Sequence, residues 1–225
     1  MLTMSLVSHT PTWSLVEGTE IANLQNLEKQ PIQTSSYKDT VAVITDGELS
    51  LYSASGKLEK SVKLSFTPSA VSISAKYVIV ANAATFELKI FDSSLSPVSK
   101  ALEPKPRSKV TALEVSPNGK YLAAGDSTGK INLYDLEEFS IVTSRWSFHT
   151  SKINTIDWNT DNEHVVSSSL DTNLIVYSVS RPARTIKALN THKEGVNGAV
   201  WLNEDEIASV GTDACLKFWK VTFSQ

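Results

Sequence analysis

The sequence predicts an all-β fold built from a repeat of about 43 residues. Three stretches that alternate apolar with small or polar side chains start 43 residues apart, and this two-residue period is typical of half-buried strands. They start at Ser108, Ser151 and Glu194. Aromatic residues recur 39 to 43 residues apart at Tyr52, Phe91, Tyr134, Tyr177 and Trp219. Short strands repeated at this spacing indicate a β-propeller, in which each repeat forms one blade.

Each repeat contains further strand signals between short polar turns. Second strands are predicted at 121–125, 165–169 and 207–211, and third strands at 130–134, 173–177 and 216–219. More polar outer strands, which face solvent on one side, are predicted at 61–64, 98–102, 141–146 and 184–189. Turn residues such as Asp46-Gly47 separate these strands, and no helical period persists, so a helical solenoid is excluded.

The repeat predicts about five four-stranded blades. Their approximate bounds are 30–64, 65–103, 104–146, 147–189 and 190–225. Residues 1–29 fit the period poorly, so we expect an ill-defined N-terminal segment or a partial blade there. The last repeat ends after its third strand, and its outer strand must therefore come from elsewhere. Residues 4–8 are the candidate for that strand.

Composition excludes several classes of protein. No apolar stretch approaches the roughly 18 residues of a membrane span, and the first residues lack the basic start of a signal peptide. The net charge of −3, with acids and bases interspersed, argues against non-specific nucleic-acid binding. The single cysteine, Cys215, cannot form an internal disulfide, which favours a cytosolic protein.

Two repeats carry a histidine, a serine, an aspartate and an aromatic residue at fixed spacings. The sets are His192, Ser209, Asp213 and Trp219 in the last repeat, and His149, Ser167, Asp171 and Tyr177 in the preceding one. A hydrogen-bonded chain from aspartate through histidine and serine to the aromatic side chain would join a turn, an incoming loop and the inner strands of one blade. Such a set resembles the structural tetrad of the WD-repeat family.

The same residue types also suggest a Ser-His-Asp catalytic triad. A hydrolase has one such trio, with its serine on a strained turn between a strand and a helix. Here the trio occurs twice, 42 or 43 residues apart, inside strand-turn-strand units. We therefore predict a stabilising role for both sets, no catalytic residue and no enzyme activity.

Other chemical signals are weak. The segment 125–130 has three residues between its glycines, where a phosphate-binding loop needs four, so it is predicted to be a turn. The histidines are widely separated and Cys215 is interpreted as a small buried or turn residue, so no metal site is predicted. We predict no cofactor and no small-molecule substrate.

Three basic residues are candidates for partner binding. Arg107 and Lys109 lie in a loop that leads into a repeat, and the alternative is a solvated loop stiffened by prolines. Arg145 precedes Trp146, a pair with the composition of a binding hot spot. The alternative for Trp146 is packing between neighbouring blades.

Longer strings at 143–154, 168–173, 181–193 and 211–219 resemble the actin-interacting protein 1 family, and its fungal members most. The likeness is close over 107–221 and looser over 37–106. It implies an incomplete seven-bladed propeller that corresponds to the end of the second of two propellers. It also implies a non-enzymatic protein that binds actin filaments and cofilin and promotes filament severing and disassembly.

The resemblance further implies a cytoplasmic location on the actin cytoskeleton, at cortical actin patches in a fungus. We predict no nucleic-acid, membrane or small-molecule partner. The alternative is a generic WD-repeat scaffold on which another multiprotein complex assembles.

Overall fold

The computed structural model describes residues 3–6, 27 and 29–223, and these form strands joined by turns and loops, with no helix. The N-terminal strand is β1 (Thr3–Leu6). The first blade contains β2 (Pro31–Tyr37), β3 (Thr40–Thr45), β4 (Glu48–Ser53) and β5 (Leu58–Lys63). The second contains β6 (Pro68–Ile73), β7 (Tyr77–Asn82) and β8 (Leu88–Asp92).

The remaining blades follow along the chain. The third contains β9 (Val110–Val115), β10 (Tyr121–Asp126), β11 (Ile131–Asp135) and β12 (Ser140–Trp146). The fourth contains β13 (Ile153–Trp158), β14 (His164–Ser169), β15 (Leu174–Ser178) and β16 (Thr185–Ala188). The fifth contains β17 (Val196–Trp201), β18 (Glu206–Gly211) and β19 (Leu216–Thr222).

The blades are antiparallel sheets arranged side by side in chain order. Within each sheet, strands that follow one another in the sequence are hydrogen-bonded neighbours. The first strand of each blade, here called its inner strand, contacts the inner strand of the next blade. Among the described residues no strand of the fifth blade contacts the first blade in the way that the inner strands of neighbouring blades contact one another, so the sheets form an open arc. The prediction of an all-β, incomplete propeller is confirmed.

The fifth blade is completed by the N-terminal strand. β1 pairs antiparallel with β19, from Thr3 opposite Thr222 to Leu6 opposite Trp219. The expectation that residues 4–8 supply this outer strand is thereby confirmed for the part that lies in β1. The remainder of the partial blade expected within residues 1–29 falls mostly outside the described residues.

The predicted fourth strand of the second blade, at 98–102, is wrong. Only an isolated bridge between Phe91 and Pro97 continues the sheet beyond β8. The chain leaves the sheet there because Leu102 is buried in the core between the second and third blades. The next residue, Glu103, forms a bridge with Ser140 at the start of β12.

The hydrophobic core is divided among the boundaries between blades. In the first four blades, the aliphatic residue three positions before the repeated aromatic residue packs against the following blade. At the four boundaries within the described arc these side chains are Leu49, Leu88, Ile131 and Leu174, each 6% exposed or less. The equivalent Leu216 of the fifth blade is 43% exposed because no blade follows it in the arc.

Trp146 belongs to one of these boundaries. Its side chain is fully buried, and its ring stacks on that of Tyr177 in the fourth blade with 4.7 Å between the ring centroids. Of the two alternatives for this residue, packing between blades is the one observed, and an exposed hot spot is wrong.

Hydrogen bonds between inner strands also join the blades. The Ile73 N–H donates to Ser35 Oγ at 3.2 Å, and the Val115 N–H donates to Ser72 Oγ at 3.1 Å. The Trp201 N–H donates to an Asp157 carboxylate oxygen at 2.6 Å. Polar side chains that face the middle of the arc therefore hold consecutive blades in register.

No helix in the described part of the chain could cross a membrane.

Candidate functional site

The structure brings the four predicted residues of the last repeat together. His192 Nδ1 lies 2.7 Å from Asp213 Oδ1, and its Nε2 lies 2.8 Å from Ser209 Oγ. The indole N–H of Trp219 donates to the same serine oxygen at 2.8 Å. Asp213 lies in the turn after β18, and His192 lies in the loop before β17. The chain of hydrogen bonds therefore links a turn, a loop and two strands of one blade.

The set in the fourth blade is connected in the same way as far as its serine. His149 Nδ1 lies 2.9 Å from Asp171 Oδ2, and its Nε2 lies 2.8 Å from Ser167 Oγ. The Tyr177 hydroxyl is buried and has no hydrogen-bond partner among the described residues. Tyrosine thus keeps the aromatic packing of this position, through its stack with Trp146, without the final hydrogen bond.

Both aspartates are held in the charged form. Partial burial would raise the pKa of Asp171, but hydrogen bonds from His149 and from the Thr150 and Asn173 N–H groups outweigh burial and lower the pKa to about 2. The hydrogen bond from His192 holds the pKa of Asp213 well below its usual range. An ionised carboxylate is the stronger acceptor for an imidazole N–H.

The serine hydroxyls of both sets are buried. Ser167 is fully buried and Ser209 is 1% exposed, so neither hydroxyl can meet a substrate without opening its blade. The Ser209 oxygen already receives the Trp219 N–H. A catalytic serine has to reach the reacting carbonyl of a bound substrate.

The third blade replaces the tetrad with other residues, which the sequence patterns did not reveal. The Tyr134 hydroxyl donates to the Pro104 carbonyl at 2.8 Å and accepts from the Asn132 amide at 3.1 Å. Burial raises the pKa of Tyr134 to about 12. At the turn between β10 and β11 of this blade, Asp126 Oδ1 accepts the Thr128 N–H at 2.8 Å. The third blade therefore links its third strand to the incoming loop, and stabilises its turn, without a histidine.

The remaining chemical signals have ordinary positions. The segment 125–130 comprises the last two residues of β10 and the predicted turn to β11, with Gly129 at a φ of 92°. Cys215 is exposed in a turn, so the turn interpretation holds and the buried one is wrong. No group of three or more potential metal ligands occurs among the residues that the structure describes.

One end of the arc, here called the loop face, is formed by the loops that precede inner strands and by the turns between second and third strands. Backbone hydrogen bonds join these loops and turns in three successive blades: Ser127 N–H to the Lys109 carbonyl, Leu170 N–H to that of Lys152, and Thr212 N–H to that of Gly195. Both histidine-aspartate pairs lie in these loops and turns. The tetrads therefore determine how loop-face segments are positioned.

Basic side chains predominate on the loop face. Its exposed cations in the third to fifth blades are Lys105, Arg107, Lys109, Lys152 and Lys193, against the exposed acids Glu103 and Glu194. The predicted residues Arg107 and Lys109 are among them, and Arg145 is exposed near the end of β12 that leads to this face. Acids predominate on the opposite face, formed by the other turns: it carries Glu137, Glu138, Asp161, Glu163, Glu204 and Asp205 against Lys120, Arg181 and Arg184.

Repeated antiparallel blades, with a histidine-serine-aspartate network in two of them, define a WD-repeat protein of the β-propeller class. A family model described as the anaphase-promoting complex subunit 4 WD40 domain matches residues 77–161. None of the similar proteins described below bears the name of an enzyme.

The chain is similar to actin-interacting proteins. It is 30% identical to actin-interacting protein 1 of Caenorhabditis elegans over 211 residues, which are 90% of this chain and 34% of that protein. It is 37% identical to the Drosophila melanogaster protein of that name over 114 residues, 50% of this chain and 19% of that protein. An uncharacterized WD repeat-containing protein of Schizosaccharomyces pombe is 46% identical over 114 residues, 51% of this chain and 19% of that protein.

These similarities confirm the resemblance to the actin-interacting protein 1 family and its fungal character. The chain spans about a fifth to a third of the length of these relatives.

Proposed function

We propose that this chain binds actin filaments decorated with cofilin and promotes their severing and disassembly without catalysing a reaction. The observation that carries the proposal is the similarity to actin-interacting protein 1 over 90% of the chain. The mechanism is differential binding. A surface that binds the cofilin-decorated filament more tightly than the bare one shifts the equilibrium toward the decorated form, and hence toward breakage.

The loop face supplies the contact surface in this proposal. Its excess of exposed cations suits an acidic protein surface, which would steer association and set orientation. Arg107, Lys109 and Arg145 are the proposed contacts because all three are exposed at or beside this face. The acidic opposite face would be turned away from such a partner, because like charges repel.

The tetrads support this function indirectly. His149 and Asp171 connect the loop before β13 to the turn after β14, and both segments belong to the loop face. His192 and Asp213 do the same in the fifth blade. We propose that these residues act as stabilising staples that keep the binding loops in one conformation, which lowers the entropy lost on binding.

The proposal places the protein on the cytoplasmic actin cytoskeleton, and in a fungus at cortical actin patches. It includes no nucleic-acid, membrane or small-molecule partner and no cofactor.

A filament co-sedimentation experiment tests the proposal. The 225-residue chain is pelleted with actin filaments in the presence and absence of cofilin, and we expect more of it in the pellet when cofilin is bound. The double variant Arg107→Glu/Lys109→Glu should lose most of this binding. The matched control Arg181→Glu/Arg184→Glu changes the same charge at exposed positions between β15 and β16 and should keep it. Pelleting that is independent of cofilin contradicts the cofilin part, and no pelleting contradicts actin binding.

A second candidate is a scaffold for another multiprotein complex. Its support is the match of residues 77–161 to a WD40 domain whose name belongs to a complex subunit. Affinity purification of the tagged chain from cells distinguishes the two candidates. Recovery of a stable complex without actin favours the scaffold, whereas recovery of actin and cofilin favours the first proposal.

A further inference from the structure

The outer edge of β8 is open over part of its length. The Asn82 N–H donates to the Glu87 carbonyl, so the hydrogen-bonded pairs of β7 and β8 are Val80 with Lys89 and Val78 with Phe91. In an antiparallel ladder the alternate residues turn their backbone groups to the other side, so Leu88 and Ile90 face outward. The Ile90 carbonyl accepts the Val98 N–H at 2.8 Å. Within the described residues, the N–H groups of Leu88 and Ile90 donate no outward hydrogen bond.

A groove runs along this open edge. It has a volume of about 540 Å³, within the range of peptide and ligand pockets. Its walls are β8, the end of the first blade with Val62, Leu64 and Phe66, and the chain's own segment 97–102. The Lys60 ammonium group donates to the Ser93 carbonyl at 2.8 Å and so bridges the two blades beside the groove.

The groove is lined by more positive than negative charge. Four lysines border it, namely Lys63, Lys89, Lys100 and Lys105. Two acids also border it: Glu87 pairs with Lys89 at 2.9 Å, and Glu103 accepts the backbone N–H of Lys105 at 3.0 Å. The lysines therefore outnumber the carboxylates by four to two. The uncompensated charge of the groove is therefore positive, and apolar side chains lie between the lysines.

We infer that this groove binds an extended acidic peptide segment of a partner protein, which adds to β8 as the fourth strand of the second blade. The outward N–H groups of an unpaired strand edge can hydrogen-bond to a further strand. When a peptide adds in this way, its backbone hydrogen bonds supply affinity and its alternate side chains supply specificity. Apolar residues of the peptide would face the first blade, and its carboxylates would meet the lysines. The groove adjoins the loop face, with which it shares Glu103 and Lys105, but the inference does not depend on actin binding.

The chain's own segment does not fill this position. Leu102 is 3% exposed in the core toward the third blade, and Glu103 is bridged to Ser140. These attachments hold the segment after Val98 away from Leu88. The second blade is the one sheet among those described that lacks a fourth strand, so the added strand would restore the pattern of its neighbours.

Fluorescence anisotropy with a defined probe tests the inference. The probe is a fluorescein-labelled peptide of four Glu-Val repeats with blocked ends, titrated with the 225-residue chain. We expect saturable binding that weakens as salt is added. The variant Lys63→Glu/Lys100→Glu should weaken binding by about tenfold or more, because both residues line the groove and neither belongs to the loop face. The control Lys152→Glu/Lys193→Glu makes the same charge change elsewhere and should bind normally.

Two further measurements examine the backbone contact itself. A peptide N-methylated at every residue carries methyl groups in place of N–H groups along both edges, so it cannot pair with a strand and should not bind. Hydrogen exchange at the Leu88 and Ile90 amides should slow when the unmodified peptide is present. Equal binding by the methylated peptide, unchanged exchange at both amides, or equal binding by both lysine variants would each overturn the inference.

Discussion

Gly211 lies directly against the imidazole ring of His192. A β-carbon at position 211 would overlap the ring, including Nδ1, the atom that faces Asp213. Gly211 ends β18, two residues before that aspartate. The histidine can therefore reach both of its partners only because residue 211 has no side chain.

The substitution Gly211→Ala should lower the free energy of unfolding by about 1–3 kcal/mol, since an overpacked site forces its neighbours to shift. The shift would separate His192 from Ser209 or from Asp213. Urea unfolding followed by tryptophan fluorescence measures the change. Gly198→Ala in the same blade is the control, because its nearest contact would be Val210 Cγ2 at an ordinary 3.5 Å. Equal losses for the two variants would mean that the contact with His192 is unimportant.

Asp171→Ala should destabilise the protein by about 1–3 kcal/mol, because it leaves the buried His149 without its partner. The chain offers a matched control in Asp161→Ala. Asp161 also pairs with a histidine, His164, at 2.6 Å, but these side chains are 36% and 20% exposed. We expect the control to lose at most about 1 kcal/mol. Similar losses for both variants in urea unfolding would contradict the staple role of the tetrad.

Stability should decrease as the pH rises toward 8, because of Glu114. Burial raises the pKa of Glu114 to about 8, and nearby Asp157 adds to the effect. Between the ordinary value of 4.5 and about 8 the folded state holds a proton that the unfolded state has lost. The free energy of unfolding therefore falls by up to about 1.4 kcal/mol per pH unit across this interval and levels off above it.

The variant Glu114→Gln should remove this dependence and be more stable than the wild-type chain at pH 8. Urea unfolding from pH 5 to pH 9 measures both effects. Glu138→Gln, at an exposed position, serves as the control and should keep the wild-type profile. A wild-type profile for Glu114→Gln as well would show that Glu114 does not cause the dependence.

Leu174→Ala and Leu216→Ala change the same position of two successive repeats and should differ in cost. Leu174 is fully buried against the fifth blade, so its truncation should cost about 2–5 kcal/mol. Leu216 is 43% exposed, so its truncation should cost about 0.5 kcal/mol or less. Thermal unfolding of the two variants compares them. A large loss at Leu216 would mean that something covers the fifth blade in solution.

Strand positions could be predicted from the sequence because the two-residue period and the turn residues are local signals. The second strand predicted at 121–125, for example, is observed as Tyr121–Asp126. The failure at 98–102 has a non-local cause. That stretch has the composition of an outer strand, but the burial of Leu102 and the bridge from Glu103 to Ser140 draw it toward the third blade.

The candidate site was predicted in part for the same reason. His192, Ser209, Asp213 and Trp219 were found because their spacing repeats in the preceding blade. Tyr134 and its contact with Pro104 were missed, since a backbone acceptor leaves no residue type to recognise. Glu114 was also missed, because its pKa depends on burial and on Asp157 in another blade.

The division of the core between blades has a consequence for how the chain holds together. Each face of a single blade carries apolar side chains, and these are removed from water only when a neighbouring blade packs against that face. The stability of each blade therefore depends on its immediate neighbours, and the blades at the ends of the arc, which have one neighbour each, should unfold before those in the middle. Cleavage of the chain between two blades would thus expose apolar side chains on both pieces, in the way that Leu216 is exposed at one end of the arc.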